Sequence, residues 1–245
     1  LSGAKKEYRN HCEKAGGARA CTNLGSFLLN RSTAKKSKAK SQKLYEKACR
    51  MQDYGACRYL ASLKHSNKSK VAKKSYRAIL KYDSKACLGG EMESCYRAGL
   101  LYDEDRLGTK EYGQAASFYR KACDGGDAQG ACNNLAALYG EGRGVEKDLA
   151  EAVRLYRRDC DGGFELACKN LGVAYAIGRG VKQNYESAIE LYKRACDARE
   201  MSACGHLGYA LTEGLGIAQN RRRGRRFLKK ACKKGHEWSC KRMGR

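Results

Sequence analysis

Residues 132–168 read CNNLAALYGEGRGVEKDLAEAVRLYRRDCDGGFELAC, and this stretch holds the plan of the whole chain. Its first half, from Ala131 to Tyr139, places Leu135, Leu138 and Tyr139 at helical spacing. It then meets Gly140, Gly142 and Gly144, residues free to take the positive φ angles that end a helix. Its second half sets Leu149, Ala152, Val153, Tyr156 and Cys160 along one stripe before Asp161, Gly162 and Gly163 close it. Two helices joined by a short glycine turn make an antiparallel helical hairpin.

The frame recurs. Leu171, Tyr175, Gly178, Gly180 and Val181 repeat the first half, and Ala188, Leu191, Tyr192 and Cys196 the second. Fourteen cysteines mark the beat along 245 residues, falling into seven pairs: Cys12/Cys21, Cys49/Cys57, Cys87/Cys95, Cys123/Cys132, Cys160/Cys168, Cys196/Cys204 and Cys232/Cys240. The first members return every 36 to 38 residues. A fixed period in the range of roughly 20–50 residues is the signature of a solenoid, whose units bury apolar faces only against their neighbours.

The expectation is therefore an all-α chain, one solenoid over residues 1–245. A capping helix and link fill 1–20, six repeats opening at Cys21, Cys57, Cys95, Cys132, Cys168 and Cys204 fill 21–239, and a stub fills 240–245. The chain has no proline, as long helical content requires, and 28 glycines to supply turns.

Within each pair, one cysteine ends a second helix and the other opens the next first helix. A bridge across so short a link is sterically sound where two helix ends meet, and seven bridges are expected in the pairing above. Persistent disulfides belong to an oxidising compartment, the periplasm or the extracellular space. Zinc is not expected, because finger and ribbon ligands stand two to four residues apart and no such cysteine pair occurs. The chain opens at Leu1, which reads as a processed or trimmed form, and shows no run long enough to cross a bilayer.

Asn170 to Gly172, then Gly178 to Val181, then Leu191 to Cys196 resemble the SEL-1-like repeat, a tetratricopeptide-like family. The cysteine pair at each junction resembles its cysteine-rich secreted branch, typified by the Helicobacter cysteine-rich proteins. The resemblance implies a right-handed α/α superhelix that holds other macromolecules. It also brings an enzymatic alternative, penicillin binding with weak β-lactamase activity, and a role in immunity against toxin effectors or in binding host proteins. A branch in the mitochondrial intermembrane space is a further, less favoured location.

Charge is the feature that the repeat does not explain. The net charge is +24. Residues 1–88 carry 22 Lys and Arg against 5 acids, residues 89–200 carry 16 against 19, and residues 201–245 carry 12 against 2. Lys35, Lys36, Lys38 and Lys40 form one dense patch and Arg221, Arg222 and Arg223 another. The partner this implies is an acidic protein, with anionic lipid or glycan next and nucleic acid last, bound by a monomer.

No active site is legible. His11, His65, His206 and His236 are scattered over different repeats, and the Ser-x-x-Lys matches at Ser32 to Lys35 and Ser37 to Lys40 lie in Lys/Ser-rich stretches where such matches arise by chance. No cofactor and no metal are expected. Tyr8, Tyr45, Tyr119, Tyr156 and Tyr192 all stand four residues before a cysteine, the register of packing residues. The expected binding groove is the row two residues after each opening cysteine, Asn23, Tyr59, Arg97, Asn134, Asn170 and His206. First helices usually line the concave wall of such solenoids.

Overall fold

The computed structural model describes residues 2–13, 17–31, 35–51, 53–63, 70–126 and 129–243. The Ser32 to Lys35 match begins outside them, and His65 lies outside them. Fourteen helices and no strand occur among the described residues: α1 (Ser2–Glu13), α2 (Ala18–Arg31), α3 (Lys35–Arg50), α4 (Tyr54–Leu63), α5 (Lys70–Leu88), α6 (Met92–Asp103), α7 (Tyr112–Gly125), α8 (Ala131–Glu141), α9 (Leu149–Asp161), α10 (Glu165–Ile177), α11 (Tyr185–Asp197), α12 (Met201–Glu213), α13 (Arg221–Lys233) and α14 (Glu237–Arg242). The chain forms two compact units, residues 1–118 and 119–245, that divide inside α7, and consecutive helices pack on one another from α1 to α6 in the first and from α8 to α14 in the second. No described helix is long and apolar enough to cross a membrane.

All seven expected bridges are present, with Cα–Cα distances of 4.6–4.8 Å. Among the described residues, five reversals share one backbone bond. The residue four after the first cysteine donates to the carbonyl just before that cysteine: Asp53 to Ala48, Glu91 to Ala86, Phe164 to Asp159, Glu200 to Ala195 and His236 to Ala231, all at 2.9–3.1 Å. This bond satisfies a carbonyl that the helix end would otherwise orphan. At three junctions a cation two residues before the next second-helix cysteine reaches the same kind of end. Lys47 donates to Cys12 O at 2.7 Å, Arg194 to Cys160 O at 2.5 Å and Arg158 to Asp124 O at 3.3 Å. Each neutralises part of the negative pole of the preceding helix and ties consecutive repeats together.

The second helices begin on a recurring cap. Asp148, Asn184 and Asn220 each accept from the backbone N–H three residues on, at 2.9 Å. The first helices stop where Gly142, Gly178 and Gly214 take φ of 70°, 67° and 79°. Gly140 does not end α8, contrary to the sequence expectation. It lies in the last turn of that helix, close to the Ala152 methyl, and the stop comes two residues later. Gly180 is constrained twice, by a φ of 73° and because a Cβ there would sit 2.1 Å from Leu149 O of the preceding repeat. The glycine turn is thus also an inter-repeat contact.

The cores lie between the helices of successive hairpins. In the first unit Cys12, Cys21, Tyr45, Ala48, Leu60 and Ile79 pack together, and in the second Cys168, Leu171, Ile189, Tyr192, Leu207 and Leu211 do so. Tyr45, Tyr119 and Tyr192 are buried as their register implied, while Tyr8 and Tyr156 are half-buried. Their rings fill space left by small residues on the facing first helix. A Cβ on Gly25 would lie 3.0 Å from Tyr45, and one on Gly172 would lie 2.7 Å from Tyr192.

A close approach also joins α12 to α13. A Cβ on Gly208 would lie 2.9 Å from Gly224 O, Leu228 N and Phe227 Cβ. Alanine is the better helix former by about 1 kcal/mol, yet overpacking against two backbone atoms costs roughly 1–3 kcal/mol. Gly208→Ala is therefore expected to lower stability in denaturant titration by about 1 kcal/mol; a neutral or stabilising result would show that α13 can move away freely.

Candidate binding surface

The structure places three of the expected groove residues in each unit, and the two sets differ. In the second unit Asn133 on α8 donates through Nδ2 to Asn134 Oδ1 at 3.2 Å. Its own Oδ1 accepts from Asn170 Nδ2 on α10 at 2.7 Å, and Asn170 Oδ1 in turn accepts from Lys169 Nζ at 2.5 Å. A polar ladder therefore runs from one first helix to the next. Asn133 is held from behind, because its backbone N–H donates to the buried Asp159 carboxylate at 2.7 Å. Burial raises the Asp159 pKa, countered by that hydrogen bond, and burial lowers the pKa of Lys169.

The next first helix exchanges the amides for an aromatic platform. His206 stacks on Tyr192 with centroids 5.2 Å apart and meets Trp238 of α14 at 4.7 Å. Tyr209 packs edge-on against Trp238 at 5.4 Å. The Arg242 guanidinium lies over both rings, 4.6 Å from the Tyr209 centroid and 5.3 Å from that of Trp238. Burial, then the charges of Lys169 and His236, push the His206 pKa down to about 4.

In the first unit the row is less uniform. Asn23 is exposed on α2, whereas Tyr59 on α4 stacks on Tyr45 at 4.2 Å. Arg97 on α6 is held within the protein. It donates through Nε and Nη2 to the fully buried Asp83 at 3.1 and 3.0 Å, and its guanidinium lies 5.5 Å from the Tyr54 centroid. Removing Arg97 would leave the buried Asp83 carboxyl without its charged partner, so this pair braces α5 against α6 whatever else Arg97 touches.

The basic patches contrast with the middle of the chain. There, Arg143 pairs with Glu141, Arg154 with Glu151 and Arg194 with Glu165. Lys38 and Lys40 on α3, and Arg221, Arg222 and Arg223 on α13, are exposed and enter no ion pair among the described residues. For Lys35 and Lys36 only the backbone, at the start of α3, is described.

Sequence reasoning missed Asn133, Lys169, Trp238, Arg242 and Asp83. The cysteine frame marks one position per first helix, while the ladder uses two adjacent ones. Trp238, the single tryptophan, was the available signal. Among the described residues no group of three or more His, Cys, Asp or Glu comes together to hold a metal ion.

Hairpins stapled by local disulfides, with polar and aromatic side chains presented on their first helices, define a disulfide-bridged helical-repeat protein. The Sel1 repeat family matches residues 18–53, 93–127, 130–164, 166–199 and 202–236, well over half of the chain, which therefore belongs to that family. Residues 54–92, between the second and third bridges, hold the α4/α5 hairpin. No curated protein sequence matches the chain. Among solved structures it is similar to a Sel1 repeat protein from Oxalobacter formigenes, with 21% identity and a TM-score of 0.66 over 91% of this chain and 88% of that one. It is also similar to a protective antigen of uropathogenic Escherichia coli, with 22% identity and a TM-score of 0.50 over 96% of this chain and 57% of that one. Helicobacter pylori cysteine-rich protein B is 26% identical, with a TM-score of 0.44 over 58% of this chain and 100% of that one.

The low His206 pKa has a consequence for stability. A histidine held at about 4, against an unfolded value of about 6.5, favours the folded state fully only above pH 6.5. That contribution falls as pH drops from 6.5 towards 4, and the loss reaches about 2 kcal/mol at pH 5. His206→Asn, which installs the residue found at Asn134 and Asn170, is expected to abolish most of this loss. Denaturant titrations at pH 7 and pH 5, read by Trp238 fluorescence, check it.

Proposed function

We propose that this protein is a periplasmic or secreted binding module that captures an acidic macromolecular partner, with a toxin effector blocked in an immunity-type role as its most specific form. Sel1 repeats generally serve as protein–protein interaction scaffolds rather than enzymes, and the many bridges fit an oxidising or secreted compartment. The basic patches attract the partner, and the row Asn23, Tyr59, Asn134, Asn170 and His206 selects it.

One observation carries this reading: exposed arginines with no ion pair among the described residues stand at the start of α13. Neither α3 nor α13 has an acid in its first turn, and Arg221, Arg222 and Arg223 are the first three residues of α13. The positive pole of the macrodipole disfavours cations there by about 0.3–1 kcal/mol each at low ionic strength. A partner's negative charge offsets that cost and the self-repulsion of a +24 chain. A solvated face would need no such placement.

Charge reversal separates the two explanations. Replacing Arg221 and Arg222 by Glu should raise stability by about 0.5–1 kcal/mol through the macrodipole. The same change should slow association with a model acidic protein by about tenfold and flatten its salt dependence. Stability and association rate are measured on the same sample. A stabilised variant whose rate and salt response are unchanged would reduce the patch to a solvated surface.

A further inference from the structure

Between α3 and α5, floored by α4, the first unit holds a cavity of about 680 Å³. That size lies in the range of roughly 300–1,000 Å³ typical of small-molecule sites. Its inner wall is apolar: Leu60, Ala78, the Cys49–Cys57 bridge, and Tyr54 and Tyr82, whose rings meet at 4.8 Å. Its rim is cationic. Arg50, Lys74, Lys81 and Lys85 are exposed there against the single acid Glu46.

Lys85 stands two residues before Cys87, the register at which Lys47, Arg158 and Arg194 each bind the end of the preceding second helix. Among the described residues Lys85 makes no such bond, nor do Lys121 and Lys230 at the same register, and Lys85 lines the cavity. Its charge is therefore available to a ligand at this rim. Tyr82 is 47% exposed, an aromatic ring with one face uncovered. Tyr54 is fixed from behind by Arg97, itself held by Asp83.

We infer that this cavity binds a small anionic amphiphile, a carboxylate with an aliphatic or aromatic body. The body lies against Leu60, Ala78, Tyr54 and Tyr82, and the carboxylate meets Lys81, Lys85 and Arg50. A neutral amphiphile lacks the head that this rim recognises, and a cationic one is repelled by it. The site is distinct from the first-helix row and does not depend on the acidic macromolecular partner proposed above.

Calorimetric titration of the intact oxidised protein tests this, with decanoate, decyl maltoside and decyltrimethylammonium as probes below their micellar concentrations. Decanoate should bind at one site and the other two should not. Lys81→Gln with Lys85→Gln should weaken decanoate by about tenfold, the loss expected from two charge-assisted contacts at an exposed rim. Ala78→Phe, checked for native helicity, should fill the cavity and abolish binding. Equal binding of the neutral probe, or decanoate affinity untouched by the rim variants, overturns the proposal. So does a short acidic peptide carrying Leu and Phe that binds, and responds to the rim variants, where decanoate fails.

Discussion

Each repeat hands over to the next through a reversal of about one helical turn, closed by a disulfide and, at most junctions, by one backbone bond, and everything else depends on that closure. Because the bridged residues are eight or nine apart, the bond fixes how a second helix meets the next first helix and nothing more distant. On the chain-entropy model a loop this short is worth roughly 2.5 kcal/mol. Hairpins this small cannot bury their apolar faces alone, so the staple matters most before neighbours have packed. The inter-repeat bonds of Lys47, Arg158 and Arg194 then add a charged tie between successive second helices.

A scaffold fixed in this way has surfaces free to vary, and the three surfaces described here differ in chemistry. The Asn133–Asn170–Lys169 ladder offers amides whose geometry is set by buried partners such as Asp159, as a preorganised recognition surface requires. The His206–Trp238–Tyr209 platform offers aromatic faces under a guanidinium. The exposed arginines of α13 offer charge without fixed geometry, which suits long-range attraction and not discrimination.

The fold was legible because its determinants are local. Cysteine spacing, the glycine turns and the stripe from Leu149 to Cys160 all act within one repeat, so a single unit disclosed the rest. The misreading of Gly140 has the same root: one glycine among three is ambiguous until the φ of Gly142 is seen. The surface was only partly legible because its properties come from pairs far apart in sequence. Arg97 gave no sign in its own helix that Asp83, buried on α5, would hold it. Lys85 looked like any solvated lysine until the structure showed that it lines a cavity formed by three helices. Asn134 and Asn170 were found by register, but Asn133, which joins them, occupies a position the cysteine frame does not mark.

The architecture rests on bridges between immediate neighbours at every junction. Proteolysis of the unreduced protein under conditions that prevent exchange, followed by mass mapping of linked peptides, tests it most directly. Seven linked pairs are expected, Cys12 with Cys21 through to Cys232 with Cys240, and no free thiol. Free cysteines, or bridges joining one junction to another, would contradict it and remove the argument for an oxidising compartment.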